Sequence, residues 1–143
     1  MSEEANGAVV HAFFAAVNAH DLEAAEQLFD PGFVFHVPRR SPIDSEGWGS
    51  WFASFIRAFP DFHMQEEDVI AGGDQVAVRW TLCGTQQGMF RSMPPTGREV
   101  TTPGVSIFQI TEGKIAQSWI MLDELGLMEQ LGVTLVRGQP FPE

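Results

Sequence analysis

The chain has 143 residues, and 44% of them are hydrophobic, which is enough for one folded domain around a single core. Its nineteen acidic and eight basic residues give a net charge of −11, so its field repels nucleic acid and anionic membrane surfaces. The first ten residues lack the basic start of a secretory signal, and no apolar run has the length of a membrane span. We therefore expect a cytoplasmic protein without nucleic-acid or membrane partners.

The cysteine and histidine content argues against metal chemistry. Cys83 is the single cysteine, so the chain can form neither an intrachain disulfide nor a thiolate metal cluster. Because Leu82 and Gly84 flank it, we expect Cys83 in the core. The four histidines are too scattered for a metal motif, and no phosphate loop or dinucleotide glycine pattern is present. The sequence thus predicts neither a metal nor a cofactor.

The N-terminal third predicts two helices and a strand. Apolar residues in 5–19 recur at spacings of three and four, which is typical of an amphipathic helix. Asp21 is a good N-cap for a second helix, which we expect to end against Pro31. Residues 33–37 are rich in aromatic and β-branched side chains and predict a short strand, followed by a loop over 38–42 that contains Arg39 and Arg40.

The middle of the chain predicts a third helix and a hairpin. A helix starting at 45–47 and ending at Pro60 would carry a broad aromatic stripe. Strands are predicted over 62–71 and 75–86, joined by a turn at Gly72, Gly73 and Asp74. The following loop, residues 88–98, contains unusually many large apolar residues, as expected of a loop that covers a site.

Two strands and a closing helix are predicted at the C-terminal end. Residues 99–111 read as a strand with a bulge near Pro103 and Gly104. Residues 114–122 are apolar on both alternating faces, which predicts a central strand covered on both sides. Asp123 then stands where this strand gives way to a short helix, either as its N-cap or as a group in a pocket. Residues 133–143 show no pattern and form a tail of the single domain 1–143.

This order of elements predicts an α+β fold: a curved, mainly antiparallel sheet with three N-terminal helices folded on it, giving a cone-shaped α+β barrel. Such a cone either encloses an apolar pocket or is filled by side chains. Trp48, Trp51, Trp80 and Trp119 are available to stack on a flat ligand, and each of them is equally compatible with a core position.

Two residues are candidates for proton transfer. His36 ends the first strand between apolar neighbours, where an imidazole can act as acid or base near neutral pH, and the alternative is a half-exposed strand-end histidine. Asp123 follows nine residues of mostly apolar strand, so partial desolvation would raise the pKa of its carboxyl into a useful range. Its alternative role is helix capping.

Several segments resemble the SnoaL-like polyketide cyclases of the nuclear-transport-factor-2-like superfamily. They are FFAAVNAHDLEAAEQLF in the first helices, FPDF at 59–62, VAVRWTLCGTQQGMF, MPPTGREV from Met93, and IFQITEGKIAQSW followed by GLMEQLG. The resemblance implies a cone with a deep apolar pocket and dimerisation through the sheet. It also implies an intramolecular aldol ring closure without metal or cofactor, with an aspartate as acid and base.

The chain departs from this pattern at both catalytic positions. The family aspartate corresponds to Ile120, and an assisting histidine corresponds to Ser106. An enzyme on this scaffold would therefore need another base, for which Asp123, His36 and Asp61 are the candidates. The substrate pocket predicted with this resemblance is lined by Trp48, Trp51, Phe55, Trp80, Phe90, Met93, Ser106, Trp119 and Ile120.

We therefore expect a cofactor-independent enzyme that cyclises or isomerises an apolar, polyketide-like or polycyclic carbonyl compound by general acid/base catalysis, with Asp123 and His36 sharing the proton transfers. The alternatives are a non-catalytic binder of small hydrophobic molecules and a cofactor-free epoxide or lactone hydrolase. Either way the predicted partners are a small hydrophobic molecule and a second copy of the chain.

Overall fold

The computed structural model describes residues 2–140, which form four helices and five strands in an α+β arrangement. The order of elements is the one predicted from the sequence. The elements are α1 (Glu3–Asn18), α2 (Leu22–Glu26), β1 (Phe29–His36), α3 (Ser45–Ala58), β2 (His63–Gly72), β3 (Gln75–Thr85), β4 (Glu99–Thr111), β5 (Lys114–Leu122) and α4 (Glu124–Gln130).

The two long helices begin at side-chain caps and bury aromatic faces. The Ser2 hydroxyl accepts a hydrogen bond from the Ala5 N–H at 3.0 Å, and the Asp44 carboxylate accepts one from the Gly47 N–H at 2.9 Å. These caps satisfy backbone donors that the first helical turn leaves free. In α1, Phe13 packs with its ring centroid 5.2 Å from that of Phe108 on β4. The helices therefore lie against one face of the sheet.

The sheet has the strand order β1-β5-β4-β3-β2, in which only the β1–β5 pair is parallel. Buried and more exposed residues alternate along β3 and β4, so one face of the sheet is buried and the other is exposed to solvent. We call the buried face, which carries Val78, Trp80, Ser106, Phe108 and Ile120, the inner face. The opposite face is the outer face. The predicted curved, mainly antiparallel sheet with helices packed on it is thereby confirmed.

The second helix is shorter than predicted. It ends at Glu26, and β1 already begins at Phe29, before Pro31. Phe29 pairs with Ile115 of β5, and its ring stacks on that of Phe33 with centroids 3.8 Å apart. The β1–β5 register shifts between Phe29 and Val34, so Pro31 lies in an irregular stretch of an edge strand, where a missing N–H is tolerated. Pairing with β5 and aromatic packing of Phe29 thus outweigh the local helical pattern.

The bulge predicted near Pro103 and Gly104 is wrong. The β3–β4 register is continuous through both residues, and the irregularity lies between Gln109 and Ile110. The Pro103 carbonyl accepts from the Asp123 N–H at 3.3 Å, just beyond the end of β5. Since a strand residue directs its N–H and C=O to the same side, the missing N–H of Pro103 falls where the neighbouring strand has ended.

The outer face is more open than the sequence pattern predicted. β5 is central in the hydrogen-bonding order, but it is covered on the inner face only: Ile120 is buried, whereas Met121 is 62% exposed. Cys83 lies on the outer face of β3 and is exposed, so the prediction of a core cysteine is wrong. The strict alternation of a strand places it opposite the buried Leu82.

No helix within residues 2–140 is long and apolar enough to cross a bilayer. Residues 133–140 of the predicted tail contain neither helix nor strand, and 141–143 lie outside the described residues.

Candidate binding site

The inner face around Ser106 and Ile120 is filled by a tryptophan. Ser106 of β4 and Ile120 of β5 are directly paired across the strands, and both are buried. The fully buried Trp80 of β3 donates its indole N–H to the Ser106 hydroxyl at 3.0 Å. Its ring covers Gly104, where an added methyl group would overlap the indole. Trp80, Ser106 and Ile120 therefore form packed core.

Trp48 also belongs to the core. It is fully buried in α3, with ring centroids 5.7 Å from Phe13 and 4.9 Å from both Phe29 and Phe52. Its indole N–H has no hydrogen-bond partner among the described residues. Within the aromatic stripe of α3, Trp48 therefore packs inward against α1 and β1.

His36 lies on the outer face, at the end of β1. Its imidazole stacks on Trp119 with ring centroids 4.9 Å apart and an interplanar angle of 9°. Its Nε2 lies 2.9 Å from the Gln117 side-chain oxygen. His36, Trp119, Ile107 and Met121 line a shallow groove, which we call the outer groove. Two of the predicted site residues are therefore brought together here, away from the inner face.

Asp123 is the N-cap of α4. Its carboxylate accepts a hydrogen bond from the Gly126 N–H at 2.9 Å, and the residue is exposed. His36 lines the outer groove, and Asp123 is not among the residues that line that groove. The geometry therefore assigns the capping role to Asp123, and its part in proton transfer stays a prediction.

Asp61, the third candidate base, is occupied by a structural contact. The backbone N–H of Thr85 donates to its carboxylate at 2.6 Å. This hydrogen bond lowers the pKa of the Asp61 carboxyl below its usual range. A lowered pKa makes the carboxylate a weaker base, so its surroundings favour a structural role.

The cavity with aromatic walls lies between α3, the loop after β1 and the loop that precedes β4. It has a volume of about 480 Å³, and we call it the α3 pocket. Trp51 and Phe55 project from successive turns of α3, and Phe90 faces them with its ring centroid 5.2 Å from that of Phe55. The lining residues are Arg40, Ile43, Gly47, Ser50, Trp51, Ser54, Phe55, Met89, Phe90 and Arg91.

Arg91 brings a mostly buried charge to this pocket. Its side chain is 16% exposed, and its guanidinium lies 2.9 Å from the Glu124 carboxylate and 5.2 Å from the centroid of the Phe90 ring. Burial lowers the pKa of Arg91; the Glu124 charge opposes this effect, and the like charge of Arg40 adds to it. Arg40 and Arg91 therefore place two positive charges at the α3 pocket.

The loop that carries Arg91 is held by a buried glutamine. The Gln86 side-chain amide donates to the carbonyls of Gly88 at 3.1 Å and Met93 at 3.3 Å, and its oxygen accepts from the Thr96 hydroxyl at 2.7 Å. Phe90 and Met93 exchange two backbone hydrogen bonds, of 3.0 and 2.8 Å, which close a tight two-residue turn. The tip of the loop is therefore fixed relative to the sheet.

The predicted substrate residues thus fall into three groups. Trp51, Phe55 and Phe90 line the α3 pocket, and Met93 supports it through its pairing with Phe90. Trp119 lies on the outer groove, which Ile120 also borders. Ile120 is nevertheless buried, and it belongs to the core with Trp48, Trp80 and Ser106.

Sequence reasoning missed Arg91 and Ser54, and it treated Arg40 only as a loop residue. The available signal was Arg91 directly after Met89 and Phe90, in a chain with only eight basic residues. In the part of the chain that the structure describes, no group of three His, Cys, Asp or Glu side chains is arranged to hold a metal ion.

Comparison with known proteins gives one family and a set of similar structures. The family described as SnoaL-like polyketide cyclase matches residues 8–131. No curated protein matches the chain.

Three solved structures illustrate the similarity. AclR from Streptomyces galilaeus, for which a hydroxylase function has been suggested, is 27% identical with a TM-score of 0.86, over 92% of this chain and 98% of its own. IdmH from Streptomyces antibioticus, for which a polyketide cyclase function has been suggested, is 29% identical with a TM-score of 0.80, over 90% and 99%. TsrD from Streptomyces laurentii is 26% identical with a TM-score of 0.83, over 94% and 99%.

Proposed function

Because the chain belongs to the SnoaL-like polyketide cyclase family, we propose that its α3 pocket binds a polyketide-like or polycyclic carbonyl compound. The observation that carries the proposal is the space of about 480 Å³ walled by Trp51, Phe55 and Phe90. Such a volume and such walls suit a flat apolar ligand, since aromatic side chains stack on planar rings. The hydroxyl of Ser50 is available to a carbonyl oxygen, whereas the Ser54 hydroxyl donates to the Trp51 carbonyl at 2.6 Å.

Binding without turnover is the activity that the geometry supports best. Ile120 and Ser106 stand at the family positions for the aspartate and the histidine, and Ile120 carries no titratable proton. No Asp, Glu or His is among the described residues that line the α3 pocket. A ligand held there meets two arginines and two serines, which are donors and poor general bases.

Cofactor-independent cyclisation or isomerisation is the second candidate, and the family match favours it. Proton abstraction beside a carbonyl needs a base within hydrogen-bond or one-water reach of the substrate. In this candidate Asp123 and His36 supply the proton transfers, as the sequence predicts. They would have to reach the same ligand from the end of β5 and the end of β1.

The test is a calorimetric titration with 2-acetylnaphthalene, a flat aryl ketone. We expect Ser54→Phe to weaken binding by about tenfold or more, because the added ring occupies the pocket. Ala53→Phe is the matched control, since Ala53 is the neighbouring position in α3 and lines a different surface, towards Leu22. Equal affinities of the two variants for the ketone would contradict binding in the α3 pocket.

The variant Asp123→Asn separates binding without turnover from acid/base catalysis. Asparagine caps a helix as well as aspartate, so folding and ketone affinity are expected to change less than about twofold. If the protein turns over a polyketide-like ketone, an acid/base role predicts a loss of about 10²–10⁴-fold in kcat. Turnover that survives Asp123→Asn would remove Asp123 from the mechanism.

A homodimer formed through the outer face is also part of the proposal. Val105 pairs with Met121, and Ile107 with Trp119, so that four apolar side chains lie together on the open face. Met121 is 62% exposed, Val105 41% and Ile107 39%. Contiguous exposed apolar surface of this kind is typical of an interface.

We expect the native protein to sediment at twice its 15.8 kDa chain mass and Met121→Lys to shift it towards the monomer. A lysine at the centre of this patch would bury an unpaired charge on association. Leu125→Lys, at an exposed apolar position of α4, is the control and is expected to leave the mass unchanged. A native protein of single-chain mass at high concentration would contradict the proposal.

A further inference from the structure

The charge of the α3 pocket is opposite to that of the protein. The chain carries a net charge of −11 with only eight basic residues, and two of these, Arg40 and Arg91, line one cavity. No described residue of the cavity wall is acidic. Local positive charge in a strongly acidic protein selects anions at that one place.

The guanidinium of Arg91 is only partly satisfied by the protein. Glu124 contacts one terminal nitrogen at 2.9 Å, and the Nε atom is buried without a hydrogen-bond partner among the described residues. A guanidinium carries five N–H donors, which suit a two-oxygen anion. Glu124 is 40% exposed in its side chain, so it is free to move aside or to share the guanidinium.

The turn holds Arg91 in a backbone conformation that arginine rarely adopts. Arg91 and Ser92 both adopt positive φ values, of 46° and 65°, in the two-residue turn closed by Phe90 and Met93. Asn and Gly are the residues preferred in such turns. The turn gains nothing from an arginine, and strained positions of this kind cluster at binding sites.

We infer that the ligand of the α3 pocket carries a carboxylate beside its apolar rings, and that Arg91, assisted by Arg40, binds this carboxylate. This inference rests on the proposed function, because it specifies the ligand of the same pocket. The aromatic walls of Trp51, Phe55 and Phe90 then hold the ring system. The arginines fix its orientation, with the carboxylate towards the loop tip.

The test compares 2-naphthoate with methyl 2-naphthoate, which share the ring system and differ in charge. Calorimetric titration in low-salt buffer without phosphate or carboxylate ions is expected to give at least about tenfold tighter binding of the acid anion. Added salt should reduce this preference and leave the affinity for the ester unchanged.

Three variants assign the preference to its residues. Arg91→Gln should bring the two affinities within about threefold of each other, chiefly by weakening the binding of the acid anion. Arg79→Gln, which removes the same charge from an exposed pair with Asp68 on the outer face, should leave the preference intact. Glu124→Gln should tighten naphthoate binding, because it removes the internal competitor for Arg91.

The outcomes separate the two proposals. If the ester binds as tightly as the acid anion, the carboxylate inference is overturned and the proposed function stands. If neither compound binds, both fail. A preference for the anion that survives both Arg91→Gln and Arg40→Gln would overturn the assignment to these residues. Should Arg91→Gln not fold, the native comparison and Glu124→Gln still decide, since a purely structural ion pair predicts no gain of affinity.

Discussion

Replacing Trp80 with alanine is expected to lower the free energy of unfolding by about 3 to 5 kcal/mol. The indole is fully buried on the inner face, lies over Gly104 and donates to Ser106. Its removal leaves a void that the rigid strands β3 and β4 cannot close. It also leaves the buried Ser106 hydroxyl without its donor, which adds to the cost.

Urea denaturation followed by circular dichroism measures this loss, with two controls. Trp80→Phe keeps one aromatic ring and removes the hydrogen bond, so we expect a smaller loss of about 1 to 3 kcal/mol. Trp119→Ala removes a half-buried tryptophan of the same sheet from the outer face and should cost less than Trp80→Ala. A loss below about 1 kcal/mol for Trp80→Ala would show that the inner face is loosely packed there.

The second large effect is expected from Ile120→Asp, which places an aspartate where the resemblance to the family predicts one. The position is 3% exposed and is paired with Ser106 in a face closed by Trp80. We expect a loss of at least about 3 kcal/mol at pH 7, because the variant loses apolar burial and places a carboxyl in an apolar environment. The packed inner face thus has a structural reason to keep isoleucine.

The loss should depend on pH in a direction that identifies its cause. Burial raises the pKa of the new carboxyl above its ordinary value of about 3.9, so the folded state binds the proton more tightly than the unfolded state. The loss relative to the native protein is therefore smallest below pH 3.9 and grows as the pH rises towards the raised pKa. Ile70→Asp, at a 68% exposed position of β2, is the control and should cost less than about 1 kcal/mol at all these pH values. A pH-independent loss would mean that water reaches the Ile120 position.

Most of the helices and strands could be predicted from the periodic spacing of apolar residues. The spacing of Val10, Phe13 and Val17 fixes the buried side of α1, and the alternation of Val76, Val78 and Trp80 predicts the inner face of β3 correctly. These patterns are local, because a helix or a strand repeats the same orientation every few residues. The predicted end of α2 was wrong because the true end is decided by Phe29, which pairs with Ile115 of β5, far along the chain.

The site was harder to predict because the local sequence does not determine how deeply a side chain is buried. Trp51 and Trp48 are three residues apart on one helix, yet one lines the α3 pocket and the other is sealed in the core. The same holds for Trp80, which fills the inner face only because Gly104 lies opposite on the next strand. Asp123 follows an apolar strand as expected, but the nearest donor is the Gly126 N–H, so the carboxylate turns to the helix.

The parallel pairing of β1 with β5 has a consequence for the order of folding during synthesis. β1 is an edge strand whose single neighbour is β5, and His36 pairs with Trp119 across 83 positions of the chain. At ~5–20 residues per second, a ribosome needs ~4–17 s to pass from the end of β1 to the end of β5. During that interval the side of β1 that faces β5 has no strand beside it, and Phe35 has backbone hydrogen bonds only on the opposite side, to Ile43. The nascent chain therefore carries an unpaired aromatic strand edge, the kind of surface that chaperones protect and that joins with other chains when they are close.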